Sequence, residues 1–330
     1  MDKTLYLLDG YSVIYRSYFA FIRSPLRNPQ GQNASAVFGF FRTVFSIFQE
    51  YQPHYFAVAL DSHGPTFRHE QYPLYKANRE KAPDDLHQQV PVIEEILERM
   101  AIPAIRVNGF EADDIMATLA RRCADEGRPC RVITGDKDML QLVGRGVTVL
   151  KPGKGRLETM DHAAVETEWG VAPDQILDYL SLTGDSADNV PGVKGIGAKT
   201  AAELLQKYRT LEGIYENLDG VSGTSKRTKL EEGHQNALLS RELITLRFDV
   251  PLSASPEDLL VTGPDYAAAA PLLAAQGAHT LLRDMGVAPA VGAAPGPSGP
   301  SVEGGPGGAN SSEESGPGGA NSSGESGPGG

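Results

Sequence analysis

Only two cysteines, Cys123 and Cys130, occur in 330 residues, and their spacing is not that of a CxxC pair. A disulfide framework is excluded, and the scarcity of thiols fits a reducing compartment. Long apolar runs are missing as well. The run at residues 5–8 is far too short for a signal-peptide core or a membrane span, so the sequence reads as soluble and cytoplasmic, with no membrane partner. Lys and Arg are absent from residues 284–330, where Asp284, Glu303, Glu313, Glu314 and Glu325 stand. The formal charge of −12 therefore leaves −7 on residues 1–283. An acidic body argues against a polyanionic partner unless its acids are gathered in one place.

Length alone, at roughly one domain per 150 residues, allows two domains and excludes a peptide hormone or a mini-protein. From about residue 289 the composition turns to Gly, Pro, Ala and Ser, and GPGGANSSEES at 305–315 recurs as GPGGANSSGES at 316–326. Such a repeat has nothing to bury, so residues 289–330 are expected to be a disordered linker or tail, with a further domain beyond it in a longer protein. Upstream, short apolar runs at 5–8, 55–60, 102–107, 131–133 and 147–150 read as strands. Helical periodicity marks 34–49, 90–100 and 112–125. This alternation predicts an α/β fold with a mainly parallel central sheet and helices on both faces, over residues 1–172. Residues 173–288 turn helical, with Gly and Pro punctuation. Phe38, Phe40, Phe41, Phe45 and Phe48 fall at core-facing positions of one helix.

In open parallel sheets the functional crevice lies beyond the carboxyl ends of the strands, and acids collect there. Asp9 follows residues 5–8, Asp61 follows 55–60, and Asp136 and Asp138 follow 131–134; Glu111, Asp113 and Asp114 open the helix at 112–125, and Asp185 and Asp188 precede a Gly-rich turn. Any one of them alone is an ordinary turn former or a helix N-terminal acid. Nine on one rim would repel and raise one another's pKa, which requires cations. Oxygen ligands without nearby His or Cys point to Mg²⁺ or Mn²⁺, and two such ions form the usual clamp for phosphodiester hydrolysis. Setting the nine acids aside leaves residues 1–283 at +2, so the remainder is mildly basic.

LLDG at 7–10, ALD at 59–61, EADD at 111–114, TGDKD at 134–138 and GDSADNVPGVKGIGAKTA at 184–201 resemble the 5′ nuclease domain of bacterial DNA polymerase I, within the flap endonuclease superfamily. The likeness runs from about residue 4 to 250 and implies a PIN-like core with a helix-hairpin-helix type DNA-binding motif. It implies a monomeric, metal-dependent 5′-3′ exonuclease and flap endonuclease of DNA replication and repair, with the polymerase part lacking. By this resemblance Asp9, Asp61, Glu111 and Asp113 bear on one metal and Asp136, Asp138 and Asp188 on a second, with Asp114 and Asp185 acting indirectly or through water.

Two segments are suited to hold DNA. The turn Gly192, Lys194, Gly195, Gly197 leads into a helix near Ala198 with Lys199 and Thr200 in its first turn. The glycines permit close backbone approach, the helix start offers free N–H groups, and residues 194–209 carry +3. The family's counterpart grips duplex without reading bases and often holds K⁺ in its turn. Lys226, Arg227 and Lys229 read as a solvated loop. Residues 62–87 mix Arg68, Tyr72, Tyr75, Lys76, Arg79 and Lys81 around prolines, the combination that binds single strands. In the family this segment is a gateway for the 5′ flap, so it is expected to be mobile. Arg16 and Tyr18, after the Asp9 strand, are expected to steer the scissile nucleotide. Three rival readings differ from this one at single features: a PIN-like ribonuclease has no need of the duplex-binding turn, a junction-binding protein leaves nine acids unexplained, and a haloacid-dehalogenase-type phosphatase needs an Asp at position 11, where Tyr11 stands.

Overall fold

In the computed structural model, residues 2–153 and 156–287 are described; the repeat-bearing segment expected to be a linker lies outside them. Strand β1 (Leu5–Asp9) leads into α1 (Gly10–Ala20) and α2 (Ser35–Tyr51), β2 (Tyr55–Leu60) into α3 (Phe67–Gln71) and α4 (Asp84–Arg99), and β3 (Ala104–Arg106) into α5 (Ala112–Asp125). Strands β4 (Cys130–Ile133), β5 (Val147–Pro152) and β6 (Leu157–Met160) follow. The remainder is helical: α6 (His162–Trp169), α7 (Ile176–Thr183), α8 (Ala198–Tyr208), α9 (Leu211–Glu216), α10 (Thr224–Ile244), α11 (Tyr266–Ala275) and α12 (His279–Asp284). None of the described helices is long and apolar enough to cross a membrane.

The sheet order is β3-β2-β1-β4-β5-β6. The first five strands in that order pair in parallel, and β6, which has no counterpart among the expected strands, closes the edge antiparallel to β5. Its sequence, Leu157-Glu-Thr-Met, lacks a continuous apolar run because an edge strand buries little. The central strands are buried on both faces. Leu5, Leu7, Ala57, Ala59, Val132 and Val149 face a core shared with α5, α7, α8 and α10, whereas Leu8, Val58, Leu60, Ile133 and Leu150 face one shared with α1, α2, α4, α11 and α12. Phe40, Phe41 and Phe48 are buried in that second core and Phe38 and Phe45 pack on it, as their spacing predicts. Because the first core runs continuously from the sheet into α7, α8 and α10, those helices are fixed against the rim where Asp9 ends β1.

One glycine settles how that rim is built. A Cβ on Gly10 would lie 2.6 Å from the Leu60 side chain and 2.9 Å from the Ala59 carbonyl. Only a bare residue lets α1 leave β1 directly across β2 and keep Asp9 at the rim.

Candidate active site

At each of these strand ends a hydrogen bond, local or across the rim, holds the acid in place. Asp9 caps α1, its Oδ1 accepting from the Ser12 N–H at 3.0 Å, while its Oδ2 accepts from the Thr134 hydroxyl at 2.7 Å. Thr134 Oγ1 in turn accepts from the Asp136 N–H at 3.0 Å, tying β1 to β4. Asp136 Oδ1 accepts from the Asp138 N–H at 2.8 Å, and Asp61 accepts from the Ala112 N–H at 2.7 Å, joining β2 to the start of α5. The caps made by Asp9 and Asp136 are what their positions predict, since an acid ahead of a helix satisfies its free N–H groups, whereas Asp61 reaches α5 only through the fold.

A cavity of about 670 Å³ opens above these acids, with Asp9, Asp61, Asp113 and Asp136 in its wall together with Lys76 and Arg79. Glu111 and Asp188 are engaged by the same two cations. Lys76 Nζ is 2.7 Å from Glu111 and 3.8 Å from Asp188, Arg79 contacts Asp188, and Lys137 contacts Asp185. Among the described residues no three His, Cys, Asp or Glu side chains close on a single point. The acids that Lys76, Arg79 and Lys137 hold are drawn to those cations rather than to one another.

Burial dominates the electrostatics. Asp9 is pushed up to about 7 by burial, with Asp61 and Asp136 adding repulsion against its two hydrogen bonds. Asp113 and Asp138 stand well above the usual carboxylate range, first from burial and then from Asp136. Glu111 is also buried, but Lys76 and Arg68 outweigh that and hold it low. Asp138 Oδ1 is buried without a hydrogen-bond partner. Carboxylates in this condition are suited to a hard divalent cation, which would neutralise them with oxygen ligation.

Several expected DNA contacts are placed otherwise. Arg68 is only 2 % exposed and Tyr75 5 %; Tyr75 donates to Glu111 at 3.1 Å. These two side chains anchor the segment at 62–87 to the acid site. Tyr72 is half-buried, while Arg79 and Lys81 are exposed. Tyr18 is buried, with its hydroxyl donating to Asp85 at 2.7 Å, so it does not face the acids. Arg16 lines a separate cleft of about 330 Å³ with Arg42 and Arg156. Asp114 is fully buried and turned towards Arg68, away from the cavity.

The turn behaves as its sequence predicts. Gly197 precedes α8, Gly192 and Gly195 have φ of 58° and 82°, Lys194 and Lys199 are exposed, and Thr200 is half-buried. Lys226, Arg227 and Lys229, expected in a loop, lie on α10, where the Lys229 side chain covers Gly195. Tyr11, Tyr15, His63 and His87 also line the acid cavity, and sequence reasoning missed them. For Tyr11 and Tyr15 a signal existed: they recur at i and i+4 behind Asp9, on one face of the helix that Asp9 caps. The two histidines stand in no pattern that marks them, and their place in the cavity wall corrects the expectation that no His lies near the acids.

Two family models match in succession: "5'-3' exonuclease, N-terminal resolvase-like domain" over residues 4–170 and "5'-3' exonuclease, C-terminal SAM fold" over residues 171–267. The chain is 50% identical over 282 residues to DNA polymerase I of Treponema pallidum, covering 85% of this chain but 28% of that protein. It is 41% identical over 263 residues to a 5'-3' exonuclease of Aquifex aeolicus, covering 80% of this chain and 88% of that one. Among solved structures, T5 5'-exonuclease with bound zinc matches at TM-score 0.62 and 19% identity, over 86% of this chain and 98% of that one. The catalytic core of Rad2 in complex with DNA matches at TM-score 0.56 and 17% identity, over 86% and 92%. At such identities these two structures speak for the fold.

Proposed function

Because the chain belongs to the 5'-3' exonuclease family, whose two domain models together span residues 4–267, we propose that it hydrolyses DNA phosphodiester bonds at 5′ ends and 5′-flap junctions. The observation that carries this reading is the convergence of Asp9, Asp61, Asp113 and Asp136, from separate parts of the chain, on one cavity that also contains Lys76 and Arg79. Carboxylates alone would repel a phosphodiester. Cations on the same wall, together with metal ions, reverse the sign of the site.

The donor set fits Mg²⁺ or Mn²⁺: every acid offers hard oxygen, Asp113 is buried among like charges, and Asp138 Oδ1 is buried with no hydrogen bond and only the Lys137 ammonium, 3.7 Å away, to offset it. Asp9, Asp61, Glu111 and Asp113 would hold one ion and Asp136, Asp138 and Asp188 a second, with Asp185, which Lys137 pairs, acting through water. When bound, such ions supply Lewis acidity at the phosphoryl oxygens and a nucleophilic water at neutral pH. Lys76 and Arg79 then offer their charge to the phosphate of the strand entering the cavity, and Tyr11 and Tyr15 give that strand an apolar wall. Arg16 takes a phosphate beside the acid cavity, in the arginine cleft. In this reading residues 1–172 are a PIN-like catalytic unit and 173–288 a duplex-holding unit, with α7, the turn and α8 forming a helix-hairpin-helix type motif that can take K⁺. The same sequence pattern occurs within a polymerase and in a free-standing exonuclease, so the proposal rests on the nuclease portion alone. A labelled 5′-flap DNA is expected to be cut at the junction in Mg²⁺ and to stay intact in chelator. A flap that stays intact in Mg²⁺ as well, under conditions where the protein is folded, refutes the reading.

Lys194 and Lys199 carry the duplex part of the proposal. Each Ala substitution is expected to weaken binding to every duplex sequence alike and to flatten the log K against log salt slope by about 1. Titrations at several salt concentrations measure both, and an unchanged slope removes these lysines from the backbone contact.

A further inference from the structure

Arg68 and Asp114 form the most completely bonded buried ion pair near the acid cavity. The Arg68 guanidinium donates through Nη1 to Asp114 Oδ2 at 2.7 Å and through Nη2 to Asp114 Oδ1 at 2.8 Å, a fork-to-fork pair. Nε donates to the Leu243 carbonyl at 2.7 Å, Nη2 also to the Thr245 carbonyl at 3.1 Å, and Nη1 also to Glu111 Oε2 at 3.4 Å. Asp114 accepts in addition from the Arg247 N–H at 2.9 Å and from the Glu111 N–H at 3.2 Å. Phe67 completes the cluster, with Arg68 4.5 Å and Arg247 5.4 Å from its ring centre.

Three parts of the chain meet at this pair: α3 of the segment at 62–87, the first turn of α5, and the exit of α10. Glu111 is held at both ends, its backbone N–H by Asp114 and its carboxylate by Arg68, Tyr75 and Lys76. We infer that Arg68 and Asp114 act together as a positioning clamp, which fixes Glu111 and the acid-bearing start of α5 for metal binding and locks the exit of α10 to that site. The inference rests on the metal-dependent reading of the acids. It assigns Arg68 no contact with DNA and Asp114 no contact with metal, because neither has a free face from which to make one.

A merely structural ion pair would change stability and nothing else, so the test reads metal affinity on folded protein. Arg68→Lys keeps the charge but cannot reproduce the planar fork, and Asp114→Asn keeps the shape but loses the charge. Ca²⁺ affinity of the full chain is measured by calorimetry, well below each variant's melting temperature, alongside kcat and KM on flap DNA in Mg²⁺. Both variants are expected to bind Ca²⁺ about tenfold more weakly and to lose kcat by about tenfold or more, the range seen when groups behind metal ligands are removed. KM should stay within about twofold. Arg128→Lys serves as control: Arg128 is likewise buried, its side chain 4 % exposed, and paired with Glu257 and Glu126 away from the acids. It should lower the melting temperature and leave Ca²⁺ affinity alone.

Unchanged Ca²⁺ affinity and kcat in folded Arg68→Lys and Asp114→Asn would overturn the clamp. So would a raised KM with a flattened salt slope and unchanged kcat, which would restore Arg68 to the DNA. Wild-type protein that neither binds Ca²⁺ nor cleaves would instead defeat the metal-nuclease reading, a distinguishable result.

Discussion

Replacing Asp113 with Asn is expected to abolish most cleavage while making the protein more stable when no divalent cation is present. Asp113 is pushed well above the ordinary carboxylate range by burial and by Asp136, Asp9, Glu111 and Asp61, in that order. All of those influences disfavour its charge, and none of the larger ones compensates it. An amide of the same shape removes the repulsion, so the fold gains. At roughly 2–4 °C per kcal/mol for a chain of this size, a rise of a few degrees in melting temperature is expected in chelator. The same change removes an anionic oxygen from the set proposed to hold metal. A loss of kcat of about a thousandfold or more, on the order of 4 kcal/mol in the barrier, is expected in Mg²⁺. Adding Mg²⁺ should erase the stability gain, because wild type alone then recovers the full cation interaction. Thermal melts with and without Mg²⁺, beside a flap assay, measure all three effects. A variant that cleaves within tenfold of wild type, or melts no higher in chelator, would remove Asp113 from the repulsive cluster.

This opposition between stability and activity explains why the acids are legible in the sequence. A parallel sheet with both faces buried reads as short apolar runs, and an Asp directly after such a run has little reason to be there beyond a cap or a site. The strands β1, β2, β4 and β5 and the helices α2 and α5 follow from that reasoning to within a residue or two. Edge strand β6 does not, since its pairing is set by its neighbour rather than by its own pattern. Basic side chains were harder for a physical reason. A lysine or arginine in an aromatic-rich segment has the same local sequence whether it meets a phosphate or a buried carboxylate, and only the long-range partner decides. Arg68 finds Asp114, 46 residues on, whereas Lys76 and Arg79 find Glu111 and Asp188 at the cavity edge. Tyr18 and Tyr15 show the same ambiguity on one helix: three residues apart, they face different sides, Tyr18 buried against Asp85 and Tyr15 37 % exposed at the acid cavity.

At the turn proposed to hold duplex, Gly192→Ala and Gly197→Ala are expected to fail for different reasons, and the contrast separates folding from function. Gly192 has φ of +58°, and a Cβ there would lie 2.4 Å from the Gly184 nitrogen and 2.6 Å from the Thr183 carbonyl carbon. Both are backbone atoms, so no rotamer change relieves the overlap. The N–H of Gly192 also donates to Ser240 Oγ at 2.9 Å and that of Val193 to the Leu182 carbonyl at 2.8 Å, so moving the turn would break its ties to α7 and α10. About 3 kcal/mol or more of destabilisation is expected, a fall in melting temperature of roughly 6–12 °C. Duplex affinity should fall with it, because Lys194 and Lys199 are aimed by this turn. Gly197 is the opposite case: its φ of −99° suits any residue, and nothing lies within 4 Å of its Cβ position. Alanine there should leave the melting temperature within about a degree. If the bare backbone at the start of α8 is where a phosphate approaches, duplex affinity should nevertheless drop by about tenfold, or 1.4 kcal/mol. Melting curves and duplex titrations in Ca²⁺ for the two variants decide the matter. Gly197→Ala protein with wild-type affinity would show that the helix start is not the contact, and Gly192→Ala protein with wild-type stability would show that the turn can be rebuilt without a glycine.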